Sequence, residues 1–421
     1  MLEDALSILG LPIGLRDSVQ SFESGANWFH PSSNVILMDV AILIHPFGRF
    51  GGAERLAILH AAGLSRKGHT VAFCTDTSQM DPLWLSLLPG HVLVRNLPYG
   101  LKGGDLIREL DSFDRLLIHH HVEPIVALRI VKKYRKKTFW YTGEVLRAIW
   151  EDKITGEDYR LFSPTVFDTA RHFYGTVSSI ALWGPMYDIT SSALRLLDSV
   201  TVRSYRGIIA NSQYMATLVK RIYRYPGPMF VAYPASTIPP SMFRPDYGNG
   251  EYVLAVGALM PNKNHRALLK AMSLLREPPA LRLIGDGQEK GKLKALAQDL
   301  RIEAEFRSQV TSEQLCRLYE SSLFVVVPSL SEPFGMTAVE AALAGKPSIV
   351  TELGGTKEFV LDQQTGFVVN PRKARGIATA MEQLLSNKGL RQSMGRRARE
   401  RALTGFTAES STVAVGRALN M

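Results

Sequence analysis

Two glutamates, Glu332 and Glu340, enclose the run Pro333-Phe334-Gly335-Met336-Thr337-Ala338-Val339, which continues to Gly345-Lys346-Pro347. Apolar stretches flank it, Leu323-Phe324-Val325-Val326-Val327 before and Ser348-Ile349-Val350 after, and these read as neighbouring parallel strands of a covered sheet. A helix must bridge them. Met336 to Ala344 is rich in Ala, Leu and Glu, and Gly345 followed by Pro347 supplies the stop. The loop before that helix therefore lies at the carboxyl end of a strand, where the backbone N–H groups of Phe334, Gly335, Met336 and Thr337 have no partner within the helix. Such an end is a seat for an anion. Carboxylates beside an anion seat make sense if the ligand carries hydroxyls as well as phosphates, because an ionised carboxylate accepts from vicinal hydroxyls while the helix dipole holds the diphosphate. An ordinary strand-to-helix loop with a capping Glu explains neither the Glu-Pro-Phe-Gly run nor the second Glu.

The pattern Glu-x7-Glu with Pro-Phe-Gly between the glutamates and an Ala-rich helix after it resembles the donor-site motif of the retaining glycosyltransferases of the GT-B fold, family 4 in particular. The resemblance runs from about residue 40 to the end of the chain. It implies an α/β fold in which two Rossmann-like domains with parallel sheets face a central cleft. It also implies that Glu332 orients sugar hydroxyls and Glu340 the ribose.

The remaining elements must position these groups. A first strand near Val40 to His45 leads through His45-Pro46-Phe47-Gly48-Arg49-Phe50-Gly51-Gly52-Ala53-Glu54-Arg55 into a helix ending near Lys67. Gly51 and Gly52 let the backbone approach a ligand closely. The run is similar to the family's first loop, across the cleft from the donor phosphates, and its combination resembles mannosyltransferases that extend lipid-linked oligosaccharides. Strands then follow near Thr70 to Thr75, Val92 to Asn96, Arg115 to His119, Phe139 to Tyr141, Gly207 to Ser212 and Met229 to Tyr233. His119-His120-His121 ends the fourth strand at the sheet's carboxyl edge; the resemblance gives a donor-sugar contact to His121 first and His120 second. A surface histidine cluster is the plainer reading of the triplet. Asn211-Ser212 resembles the pair that closes the first sheet. The helical, aromatic-rich stretch from Trp150 to about Arg203 matches the family poorly and is where the acceptor should be sought.

Pro234, Pro239, Pro240 and Pro245 mark a linker, after which strands are expected near Tyr252 to Gly257, Leu281 to Ile284, Glu305 to Val310 and Gly366 to Val369. Gly257-Ala258-Leu259-Met260-Pro261-Asn262-Lys263-Asn264 resembles the family's Gly-Arg-Leu-x-x-x-Lys-Gly loop, in which Arg and Lys hold the diphosphate. Lys263 is present; Ala258 stands where the arginine would be, which removes a bidentate phosphate donor, and Arg266 is the candidate replacement. Gly354-Gly355-Thr356-Lys357-Glu358 resembles a second donor-side turn. The expected domains are an extension at 1–34, an acceptor-side domain at 35–240, a nucleotide-sugar domain at 241–403, and a final helix at 404–421 packing back on the first domain.

The chain has 421 residues, 46% hydrophobic and 21% charged, enough for two sizeable cores and not a disordered composition. The net charge of +10 is spread evenly, 25 basic against 21 acidic residues up to 240 and 24 against 18 beyond, unlike a nucleic-acid binder's one-sided charge. Locally, Ser199 to Pro245 holds six basic residues and no acidic one, and Lys132, Lys133, Arg135, Lys136 and Lys137 form a tight run. These are either solvated helix ends or contacts for anionic lipid. Cys74 and Cys316 lie in apolar contexts without metal spacing and fit reduced thiols in a cytoplasmic compartment. The apolar run Val35 to Pro46 is too short to span a bilayer, so any membrane contact is peripheral, at the cytoplasmic face.

No Asp-x-Asp pair is present to hold a metal, so the leaving group's charge falls to Lys263 and the helix N-terminus. The resemblance then implies a metal-independent, cofactor-free transfer of a hexose, mannose favoured, from GDP-mannose or a UDP-hexose, with retention by front-face substitution. The acceptor is a saccharide or a lipid-linked saccharide. A degenerate sugar-nucleotide-binding subunit and a nucleotide-sugar epimerase of the same fold are the alternatives.

Overall fold

The computed structural model describes residues 36–44, 52–77, 87–96, 108–120, 124–145, 150, 154, 185–308 and 310–421, and residues 37–421 form one compact unit. The expected extension at 1–34, the loop from His45 to Gly51, His121, and most of the aromatic stretch after Trp150 lie outside the described residues.

The first sheet holds β1 (Asp39–Leu43), β2 (Thr70–Thr75), β3 (Leu93–Asn96), β4 (Arg115–His119), β5 (Thr138–Thr142), β6 (Gly207–Ala210) and β7 (Met229–Val231). Its strands are parallel in the order β3-β2-β1-β4-β5-β6-β7. The second holds β8 (Tyr252–Val256), β9 (Ala280–Ile284), β10 (Ala304–Arg307), β11 (Ser322–Val327), β12 (Ser348–Thr351) and β13 (Gly366–Val369), parallel in the order β10-β9-β8-β11-β12-β13. The expected two-sheet α/β architecture is therefore what the chain adopts. Central strands such as Thr138-Phe139-Trp140-Tyr141-Thr142 are buried throughout, because helices cover both faces of a parallel sheet.

In the first domain these helices are α1 (Gly52–Arg66), α2 (Pro124–Tyr134), α3 (Pro185–Arg203) and α4 (Gln213–Tyr223). In the second they are α5 (His265–Met272), α6 (Lys290–Asp299), α7 (Ser312–Glu320), α8 (Met336–Leu343), α9 (Ala374–Ser386) and α10 (Lys388–Gly405). The strand order reverses between β1 and β4 in one sheet and between β8 and β11 in the other. Ligands of open α/β sheets bind outside the carboxyl ends of strands at such points.

The chain passes between the domains twice. After α10 it turns at Phe406 into α11 (Ala408–Ala418), which lies on α1 of the first domain. Lys67 Nζ pairs with Glu409 at 2.8 Å, Arg115 Nε donates to the Leu419 carbonyl at 2.8 Å, and a side chain at Gly63 would overlap Thr412. Phe406 itself wedges among Tyr233, Phe334 and Phe359, with ring centroids 5.3, 5.7 and 4.9 Å away.

Part of the basic run is tied to the protein itself. Lys133 pairs with Asp111 at 2.9 Å, and Lys137 Nζ donates to the carbonyls of Leu110, Asp111 and Phe113. Lys132, Arg135 and Lys136 remain exposed. Both cysteines are free and buried, and burial pushes their thiols up to about 12, away from reactivity. No helix among the described residues is long and apolar enough to cross a membrane.

Asp198 on α3 is a buried carboxylate that accepts from Trp150 Nε1 and from the Tyr223 hydroxyl, each at 2.7 Å. Burial outweighs both donors and pushes it up to about 6. The folded state thus holds this proton more tightly than the unfolded chain. Its contribution is complete below about pH 4 and is lost as pH rises through about 6, a change of roughly 3 kcal/mol. Asp198→Asn should remove that slope: between pH 4 and 7 the melting temperature of wild type should fall relative to that of the variant. Parallel curves would mean that Asp198 is ionised throughout.

Candidate active site

Among the helices that begin where the domains meet, α4 and α8 are treated oppositely. At α4, Ser212 is the N-cap and its Oγ accepts from Met215 N. The two N–H groups ahead of Met215 are taken by the other domain: Glu358 accepts from Gln213 N at 2.8 Å and from Tyr214 N at 2.7 Å, and from the Tyr233 hydroxyl at 2.9 Å. Glu358, expected as a substrate contact, is thus placed as an interdomain cap. The Glu332-to-Gly335 loop is fastened at the same seam. Ser212 Oγ donates to the Pro333 carbonyl at 2.6 Å, and the Tyr214 hydroxyl meets Ser331 Oγ at 2.9 Å. Gly355 leaves room for both Ser212 and the Pro333 carbonyl, and Gly355 N donates to the Glu332 carbonyl at 2.8 Å.

At α8 no side chain caps the helix. Gly335 is the N-cap, at φ 88°, a left-handed conformation suited to glycine, and a side chain there would strike Thr356 and Glu332. The Met336 and Thr337 N–H groups fall in the turn that finds no carbonyl within the helix. Across the cleft, Gly52 opens α1 and packs directly on the Met336 methyl end. Phe334 contributes its backbone to the loop, and its ring is buried against Tyr233 and Phe406.

The charged groups lie around this uncapped end. Lys263 Nζ is 2.7 Å from Glu332 Oε2, which also accepts from Ser329 Oγ at 3.0 Å. The Lys263 loop is held by Asn264, at φ 56°, whose amide donates to the carbonyls of Pro328 and Pro371 at 3.1 and 3.0 Å. Asparagine tolerates this left-handed position, where the family loop has glycine. Gly257, at φ 149°, has open space beside it, and Ala258 is exposed. Arg266 is exposed in the first turn of α5.

Glu340 accepts from the buried Tyr319 hydroxyl at 2.7 Å. Burial raises its carboxyl above the usual range, opposed by the Tyr319 bond and by the Arg55 guanidinium across the cleft. Burial likewise lowers Arg55, opposed first by Glu340. Arg55 and Tyr319 were not assigned roles from the sequence; Arg55 is carried by the Gly-Gly-Ala-Glu-Arg run, and Tyr319 has no sequence signal. At the carboxyl edge of the first sheet, His120 sits half-buried against Gly143, beside the amide of Asn211. Asn211 Nδ2 donates to the Gly143 carbonyl at 3.4 Å and its Oδ1 accepts from Ser212 Oγ at 3.2 Å.

Residues 243–401 match the family model described as glycosyl transferases group 1. The chain is 33% identical over 168 residues to a glycogen synthase of Mycobacterium tuberculosis, covering 39% of this chain and 40% of that one. It is 34% identical over 182 residues to a D-inositol 3-phosphate glycosyltransferase of Mycobacteroides abscessus, covering 40% of each. The match thus spans about two fifths of these relatives' length. In fold it is similar to Anabaena HepE in complex with UDP, with a TM-score of 0.68 and 18% identity over 91% of this chain and 100% of that one.

Removing the Glu358 carboxylate strands two helix N–H groups and a tyrosine hydroxyl. Glu358→Ala should therefore lower unfolding free energy by about 1–2 kcal/mol in urea titration. A variant that keeps full stability would return Glu358 to a ligand-binding role.

Proposed function

We propose that the protein is a retaining, metal-independent glycosyltransferase that moves a hexose, with mannose the first to test, from a nucleotide diphosphate sugar to a saccharide or lipid-linked acceptor. The observation that carries this reading is the Lys263–Glu332 pair, 2.7 Å apart, beside the uncapped N-terminus of α8. One cation and a helix dipole suit a departing diphosphate, and the carboxylate suits sugar hydroxyls. The group 1 family match over residues 243–401 covers this half of the site, and UDP in HepE supports a nucleotide ligand.

In this reading the diphosphate lies on the Met336 and Thr337 N–H groups, and Lys263 exchanges part of its contact with Glu332 for a phosphate oxygen. Glu340, held by Tyr319, accepts from the ribose hydroxyls. Glu332 orients the hexose. Negative charge that develops on the leaving phosphate is met by groups already in place, so little reorganisation is required. The acceptor hydroxyl attacks from the face the diphosphate leaves, and the departing phosphate takes its proton. A lipid-linked acceptor would bring the exposed Lys132, Arg135 and Lys136 towards an anionic bilayer.

Nucleoside diphosphate release from GDP-mannose and UDP-hexoses, with and without saccharide acceptors, tests the proposal. A transferase releases it only with acceptor; an epimerase converts donor without acceptor, and a binding subunit does neither. In calorimetry Glu340→Gln should weaken donor binding by about 1.5–3 kcal/mol, the range for a hydrogen bond to a charged group. Unchanged affinity would contradict the ribose role. Lys263→Ala should weaken donor binding more than Arg266→Ala. Equal losses would mean that Arg266 carries the diphosphate as well.

A further inference from the structure

On α8 the residues that stay partly exposed are Met336, Thr337 and Glu340, whereas Ala338, Val339, Ala341, Ala342 and Leu343 are buried. Positions three and four apart share a helix face, so the Glu340 carboxylate stands one turn along from the Met336 and Thr337 N–H groups, on the same exposed face. Tyr319, near the end of α7, reaches Glu340 from the buried side. Its hydroxyl donates to Glu340 Oε2 at 2.7 Å, and the residue has no exposed surface. Whatever Tyr319 does for a ligand on this face, it does through Glu340.

The tyrosine is itself firmly placed. The capping box of Thr311 and Gln314 starts α7, the Tyr319 carbonyl accepts from Ser322 Oγ at 2.8 Å, and its ring lies 6.3 Å from that of Phe243. Burial first, and then the Glu340 charge, hold the phenol well above its ordinary pKa, so it keeps its proton and remains the donor of this bond. Other buried tyrosines show the contrast. The hydroxyls of Tyr141, Tyr225 and Tyr252 donate to the carbonyls of Ala232, Tyr205 and Leu318, which satisfies a hydroxyl and nothing more. Tyr223 meets Asp198 inside the first core. Tyr319 serves a carboxylate on the exposed face of α8.

We propose that Tyr319 is a positioning residue of the nucleotide site: by tying down Glu340 Oε2 it holds the carboxylate in one rotamer, and through it the site selects a ribose diol over a sugar that lacks those hydroxyls. The proposal rests on the glycosyltransferase reading, in which Glu340 accepts from the ribose. A carboxylate fixed beforehand loses little rotamer freedom when the ligand arrives. A site built to accept from a hydroxyl also rejects the analogue that lacks it, because its acceptor is then left unpaired.

Calorimetry on the whole chain with UDP, GDP and their 2′,3′-dideoxy forms tests the proposal. Wild type should bind a ribonucleotide about 10- to 100-fold more tightly than the dideoxy form, the range for losing hydrogen bonds to a charged acceptor. Tyr319→Phe should narrow that ratio about fivefold, the value of one ordinary hydrogen bond, by weakening the ribonucleotide and leaving the dideoxy form unchanged. A tyrosine that only supports the fold would weaken both ligands alike. In a Glu340→Ala background Tyr319→Phe should change neither affinity, since the hydroxyl has no carboxylate left to hold. That double variant strands no carboxylate, so it decides even where Tyr319→Phe alone does not fold. A wild-type preference that survives Tyr319→Phe, or a further loss in the Glu340→Ala background, overturns the proposal and leaves the ribose reading standing. A wild type that binds both forms alike, or neither, overturns the ribose reading first and the proposal with it.

Discussion

A carboxylate of one domain caps a helix of the other, and the geometry of the cleft depends on that bond. Glu358 satisfies Gln213 and Tyr214, Ser212 satisfies Met215, and the α4 N-terminus is closed to ligands. The same seam clamps Pro333 and Ser331, which sets where α8 begins. An uncapped helix end costs free energy unless water or a ligand reaches it. With α4 capped from within, the α8 N-terminus at Met336 is the one that the proposed diphosphate would use.

The carboxylates around that end have neighbours of opposite charge or hydrogen-bond donors. Lys263 offsets Glu332, and Tyr319 and Arg55 offset Glu340, whose burial alone would favour its neutral form. Charge pairs of this kind contribute little net stability once desolvation is counted. Their arrangement suits exchange of partners with a ligand better than it suits holding the fold, which rests on the buried faces of the two sheets and on the Phe406 cluster.

The sheets were legible because parallel strands covered on both faces leave unbroken apolar runs, and the α8 segment was legible as strand, turn and helix because an apolar run, a Pro-Phe-Gly turn and an Ala-rich run follow one another. Other parts turned on contacts that spacing does not encode. Glu358 sits in a Gly-Gly turn that resembles a donor loop, and only the approach of Gln213, about 145 positions earlier, makes it a cap. Phe334 lies inside the motif, yet its ring belongs to a cluster built from Tyr233 and Phe406. His60 reads as a lone histidine on an apolar helix face; its partners, His119 and Ser411, are 59 and 351 positions away. In the histidine triplet, His119 turned out to be wholly buried, leaving His120 at the edge, while His121 lies outside the described residues.

A crystal structure with UDP or GDP bound tests the central claim most directly. The diphosphate should lie within hydrogen-bond distance of the Met336 and Thr337 N–H groups and of Lys263 Nζ, with the ribose on Glu340 and Glu358 still capping Gln213 and Tyr214. A nucleotide seated at the α4 N-terminus with Glu358 displaced, or one bound away from α8, would contradict it.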